Sequence, residues 1–299
     1  MRIAITGSTG LIGTALGTHL SEAGHTVVPV VRGARPPGAD EITWDPAAGS
    51  LDPAALVGID AVVHLAGAGI GDRRWTDEYK RTIRESRTRS TNLLSEAIAS
   101  IDDGPRVLLS GSAIGIYGNR GDTDLDETSE HGSGFLVSVC EDWEASTRIA
   151  EAAGARVVHL RTGIVLSPAG GALRKQLPLF RFGLGGRFGS GRQWQSWISI
   201  VDEVRAIEHL LTADVEGPVN LTAPVPVRNA EFASTLGAVL RRPALLPVPK
   251  FGPSLLLGGE LAENLLYDGQ KVLPTVLLAD GFTFEHPDLE VALRQLLDR

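Results

Sequence analysis

Three glycines at three-residue intervals, Gly7, Gly10 and Gly13, follow the apolar run Arg2-Ile3-Ala4-Ile5-Thr6 and open an Ala/Leu-rich stretch. Each spacing answers a separate physical need. Gly7 permits a tight turn, Gly10 lets the backbone approach a bound group, and Gly13 lets a helix pack close to the strand before it. The backbone of Gly7, Ser8, Thr9, Gly10, Leu11, Ile12 and Gly13 would then form a helix N-terminus, whose unpaired N–H groups and partial positive charge suit a diphosphate. A strand before the triplet and a helix after it are the context that separates a dinucleotide-binding turn from a chance run of glycines.

A second chemical signal stands at Val30-Val31-Arg32. A carboxylate at this point would hold the ribose 2′-hydroxyl of NAD, but no acid occurs until Asp40. A guanidinium there pairs instead with a 2′-phosphate, which predicts NADP(H). Farther on, Ser110-Gly111-Ser112-Ala113 and Tyr117-Gly118 bring hydroxyls to the end of an apolar run. Ser112, placed to polarise a substrate oxygen, and Tyr117, a proton carrier, are the candidate catalytic groups, with Glu141 a further carrier. Each also has a structural reading: a loop hydrogen-bonder, a packed ring, a solvated helix edge. His64 and His159 sit in apolar runs, where hydrogen-bonded core histidines are expected, and no spacing of His, Asp and Glu suggests a metal.

These residues need a sheet edge to hold them. Short β-branched runs alternate with longer amphipathic ones, predicting strands at 2–6, 26–32, 41–44, 61–66, 106–110 and 156–165. Helices are predicted at 11–23, 76–99 and 135–153, with a helical turn at 52–57. Gly24 and Gly154 fall where helix C-caps belong. Continuously apolar strands such as Ala61-Val62-Val63-His64-Leu65-Ala66 suit a sheet covered on both faces. The fold class is therefore α/β, a Rossmann-type doubly wound parallel sheet with a smaller C-terminal α/β substrate lobe. The boundary is placed after residue 223, giving units 1–223 and 224–299. The glycine-rich stretch 183–191 supplies substrate loops, and helices follow at 201–212, 229–241 and 289–297.

Bulk properties exclude several classes. A net charge of −8 leaves no global positive field for nucleic acid. The arginines at 73, 74, 81, 84, 87 and 89 are expected mostly to face solvent. The single Cys140 rules out an intramolecular disulfide and is expected to be a buried small hydrophobe. The apolar run ending at Ile5 is too short for a signal-peptide core or a membrane span, so a cytoplasmic location without membrane contact is expected.

The turn Thr6 to Gly13 resembles the TGxxGxxG motif of the extended short-chain dehydrogenase/reductase superfamily. Asp60 to Gly67 resembles its fourth-strand motif and Ser110 to Ala113 its active-site serine strand. More narrowly, Arg73-Arg74-Trp75, Ser86-Arg87, Trp143-Glu144, Arg161 to Leu166, Gly189-Ser190-Gly191, Ser196-Trp197-Ile198 and Gly269-Gln270-Lys271-Val272 resemble the epimerase-family proteins also called cell-division-inhibitor-like nucleoside-diphosphate-sugar epimerases. The resemblance implies that Val31, Arg32, Leu65, Ala66, Arg87 and Val165 touch NADP(H), and its motifs add Gly67, Ser110 and Arg161 to the cofactor set. It also implies that two long helices, 76–99 and 135–153, could pair in a homodimer. The superfamily's Tyr-x-x-x-Lys pair is missing from the run Phe135 to Glu144, and Tyr267 with Lys271 matches it by chance. The expected function is an NADP(H)-dependent oxidoreductase or epimerase acting on a small carbonyl, hydroxyl or nucleotide-sugar compound. The alternative is a non-catalytic NADP(H)-binding sensor or regulatory partner.

Overall fold

The computed structural model describes residues 1–33, 40–244 and 246–299. The first strands are β1 (Arg2–Thr6), β2 (Thr26–Arg32), β3 (Ile42–Asp45), β4 (Ser50–Leu51), β5 (Ala61–His64) and β6 (Val107–Ala113). They are followed by β7 (Asp124–Leu125), β8 (Arg156–Thr162), β9 (Ile164–Leu166), β10 (Trp194–Gln195), β11 (Trp197–Ser199) and β12 (Gly217–Leu221). Eight of them form one sheet in the order β12-β8-β6-β5-β1-β2-β3-β4. All neighbours are parallel except the β3–β4 hairpin.

Alternation along each strand sends side chains into two cores. Ile3, Ile5 and Val63 face α1 (Leu11–Glu22), sharing a cluster with Val204, Ile207 and Leu210 of a later helix. Ala4, Val62 and Leu108 face the opposite way, against Leu94 and Ile98 of α2 (Asp77–Ala99). The chain thus winds one way from β1 and the other way from β5, and this reversal opens a crevice at the carboxyl edge between them. The expected doubly wound sheet is what forms. Gly24 and Gly154, with φ of +85° and +90°, close the helices before them as expected.

Two predicted elements come out broken. The helix expected over 135–153 splits into α3 (Phe135–Ala145) and α4 (Arg148–Ala152). Ser146 Oγ donates to the Asp142 carbonyl and Thr147 Oγ1 to that of Glu144, so side chains compete for the carbonyls that would carry the helix on. The strand expected over 156–165 breaks at Gly163, where a side chain would meet the Ser196 carbonyl and Thr222. The chain there leaves β12 and β9 pairs with β11.

A third core joins α5 (Gly171–Arg181), α7 (Asn229–Leu240) and the C-terminal helix Leu289–Leu296, through Leu173, Leu177, Phe180, Phe232, Leu236, Leu289 and Leu293. Between α5 and α7 runs α6 (Ile200–Thr212), the helix that carries Val204 to Leu210. No helix among the described residues is long and apolar enough to cross a membrane.

Candidate functional site

The register sets Val30, Thr6, His64, Ser110 and His159 in one row across the sheet. Arg32, Ser112 and Arg161 lie beyond that row, as do the turn after Thr6 and the loop after His64. The fold therefore brings the predicted residues to one edge.

Gly7 has φ of +67°, and a side chain there would also come within 2.9 Å of the Leu65 carbonyl. A methyl at Gly13 would strike the carbonyl oxygen of Gly7, because α1 begins directly against the turn. The Gly7 carbonyl accepts from the Gly10 amide at 2.9 Å. Gly10 stands at the N-cap of α1 with no side-chain cap, so the first-turn amides keep their donors for another acceptor. Thr6 Oγ1 accepts from the amides of Leu65 (3.1 Å) and Ala66 (3.2 Å), locking the loop after β5 to the turn. Val165 leads into Gly170 and Gly171, which lie against Leu11 at the start of α1.

Val31 is half-buried and Arg32 exposed at the end of β2. The Arg32 side chain has no hydrogen-bond or ion-pair partner among the described residues, a cation at the rim of the turn. Arg87 is held differently. It donates to the carbonyls of Ala68 and Ile83 at 3.0 Å, its guanidinium packs against Gly67, and it lies 4.9 Å over the Trp143 ring. Burial lowers its pKa. Arg73, Arg74, Arg81 and Arg89 are exposed as expected, whereas Arg84 turns to Ser138 and Asp142.

Ser112, Tyr117 and Arg161 are drawn into one buried network around a residue the sequence reading gave no role, Glu144. Ser112 Oγ donates to Glu144 Oε1 at 2.6 Å. Arg161 donates to both Glu144 oxygens, at 2.9 and 3.0 Å, and to the Tyr117 hydroxyl at 3.0 Å. Tyr117 in turn donates to Asn220 Oδ1 at 2.7 Å. Burial works against the Glu144 charge, but the hydrogen bonds and charge of Arg161 overcome it and hold the carboxyl below its ordinary range. Burial raises the Tyr117 pKa, so the phenol stays protonated. Arg161 is 3 % exposed and spends its guanidinium inside this network, and Ser110 is wholly buried. An open cleft of about 680 Å³, lined by His131, Glu144, Glu151 and His159 among others, reaches Glu144 from outside.

Glu144 was legible in one respect. It falls at i+7 from Val137 and i+4 from Cys140, both buried on α3, so it continues their stripe and comes out half-buried at its end. Trp143 beside it covers Gly111, whose Cβ would meet the indole at 2.7 Å, so the helix that lacks tyrosine and lysine presents an indole and a carboxylate. Cys140 is buried, and burial pushes its thiol up to about 12. His64 is a core histidine bridging Thr6 (2.7 Å) and Ser90 (3.0 Å), its pKa lowered to about 3 by burial and Arg87. His159 contacts Thr147 at 2.9 Å and lies 3.9 Å from Glu144. Tyr267 meets Lys250, whereas Lys271 pairs with Asp124, so the two do not form a pair.

The chain matches the NAD dependent epimerase/dehydratase family over residues 3–222 and a C-terminal domain of unknown function (DUF1731) over residues 248–296. It is 48% identical to the epimerase family protein Mb2239 of Mycobacterium bovis, covering 97% of this chain and 96% of that one. It is 38% identical to the human epimerase family protein SDR39U1, covering 99% and 100%. The crystal structure of human SDR39U1 with NADPH superposes with a TM-score of 0.91 at 37% identity, covering 100% of this chain and 99% of that one. Matched by the family over residues 3–222 and 38% identical to a relative along nearly its whole length, the chain belongs to the NAD dependent epimerase/dehydratase family.

Proposed function

We propose that this protein binds NADP(H) at the carboxyl edge of its sheet and acts as an oxidoreductase or epimerase-like enzyme on a small hydroxyl or carbonyl compound, with nucleotide-linked sugars included in that class. The reading is carried by one arrangement: a turn in which Gly7 and Gly13 leave no room for side chains, an α1 with no side-chain cap, and, at the end of the neighbouring strand β2, the exposed Arg32, without a partner among the described residues. These residues fit the group. The amides from Ser8 to Gly13 would hold the diphosphate and Arg32 the 2′-phosphate, with Leu65, Ala66, Gly67, Arg87 and Val165 around the rest. The NADPH in the crystal structure of the human relative supports the same choice.

Bound NADP(H) supplies hydride chemistry. The chain's own contribution would be to orient the substrate at Ser112, fixed through Glu144 and Arg161. Calorimetry with NADPH and NADH tests the cofactor: tight NADPH and weak NADH are expected, and no binding of NADPH overturns the reading. Following NADPH absorbance against panels of carbonyls, alcohols and sugar nucleotides then tests activity. Turnover supports the enzyme, whereas tight binding with no turnover on any panel favours the non-catalytic sensor.

A further inference from the structure

The buried network fixes which way its protons point. Asn220 Nδ2 donates to the Leu273 carbonyl at 3.0 Å, an atom that can only accept. Asn220 Oδ1 therefore faces Tyr117, the Tyr117 hydroxyl donates to it, and the Tyr117 oxygen accepts from Arg161. Arg161 has only donors, and its fork closes on both Glu144 oxygens. A carboxylate so paired can only accept. Ser112 carries one proton, and the 2.6 Å bond to Glu144 uses it. What Ser112 retains for any other partner is lone pairs.

We propose that Ser112 meets the substrate as a hydrogen-bond acceptor, so that the site selects a ligand bearing a hydroxyl at that point over the same skeleton bearing a carbonyl. This rests on the reading that substrate binds beside Ser112, and it narrows the expectation that the serine polarises a substrate oxygen, carbonyl or hydroxyl, to a serine that accepts from a hydroxyl. A carbonyl set there would place acceptor against acceptor and leave both unpaired. An unmade buried hydrogen bond costs about 1–3 kcal/mol, which corresponds to a preference of roughly 5- to 150-fold.

Two measurements test it on the full chain loaded with NADP⁺. Neutron diffraction is expected to show a deuteron between Ser112 and Glu144 and none elsewhere on that carboxylate. A deuteron on Glu144, with that of Ser112 turned away, overturns the polarity. Fluorescence or NMR titration with 1-methylcyclohexanol, which has no carbinol hydrogen to lose, and with cyclohexanone compares two probes that cannot react with NADP⁺. The alcohol is expected to bind at least 5-fold more tightly. Ser112→Ala should abolish the difference, and Glu144→Gln, whose amide can donate to Ser112, should shrink or invert it. Equal binding or a preference for the ketone in the unsubstituted protein overturns the selection. If NADP⁺ binds and neither probe does, the substrate reading falls and takes the selection with it, while the neutron map still decides the polarity.

Discussion

At position 13 even a methyl group has nowhere to go, because the carbonyl of Gly7 already fills that space. Gly13→Ala is expected to weaken NADPH binding more than about 10-fold, since the turn must open and its amides lose their common focus. Calorimetry reads the loss directly. Arg32 has no partner among the described residues, so its removal should leave the fold alone. Arg32→Ala is expected to weaken NADPH about 10- to 150-fold, from the roughly 1.5–3 kcal/mol of a charge-assisted hydrogen bond, and to leave NADH nearly unchanged. Equal losses for both cofactors would refute its assignment. Tyr117→Phe strands Asn220 Oδ1 and one Arg161 donor in a buried site, which should cost about 1–3 kcal/mol in urea unfolding while NADPH affinity holds. A variant as stable as its parent would show that the hydroxyl network carries little of the fold.

The helix α6 places Glu203 wholly inside the protein, where Thr162 Oγ1 donates to it at 2.9 Å and its second oxygen has no partner among the described residues. Burial raises its pKa to about 8 from an ordinary 4.5. Between those values the folded chain holds a proton that the unfolded chain has released. Stability from this group is therefore complete below about pH 4.5 and is lost as pH rises toward 8. His64 acts with the opposite sign: its depressed pKa makes folding lose stability as pH falls from 6.5 toward about 3. Glu203→Gln is expected to flatten the alkaline limb of a stability profile taken by urea unfolding between pH 5 and 8.5. An unchanged slope would show that Glu203 is not titrating in this window. His64, set in an apolar run, was readable as a core histidine, whereas Glu203 does not announce itself: the run from Ile200 to Thr212 reads as an ordinary amphipathic helix, and only its packing on the sheet shows that its buried face includes a carboxylate.

Across the whole molecule, the third core ties chain before residue 223 to chain after it, with Leu173, Leu177, Phe180 and Trp197 packed among Phe232, Leu236, Leu289 and Leu293. A fragment ending at residue 223 is expected to expose that apolar surface and to bind a hydrophobic dye strongly, whereas the full chain does not. A fragment that is compact and silent toward the dye would establish 1–223 as an independent unit. The glycine turn, the cation at Arg32 and the doubly wound sheet were all legible in the residues themselves, because a local spacing and a periodic pattern are short-range properties that survive in one dimension. The break at Gly163 was not, since it depends on Ser196 and Thr222, distant in sequence, taking the space beside it, and the break after Ala145 turns on which way the Ser146 and Thr147 hydroxyls point, which the residue types alone do not fix. Glu144, Arg161, Tyr117 and Asn220 are separated by up to 103 residues, from Tyr117 to Asn220. Hydrogen-bond partners and burial arise only when strands β6, β8 and β12 lie side by side, so tertiary structure alone decided that Ser112 gives its proton to the protein.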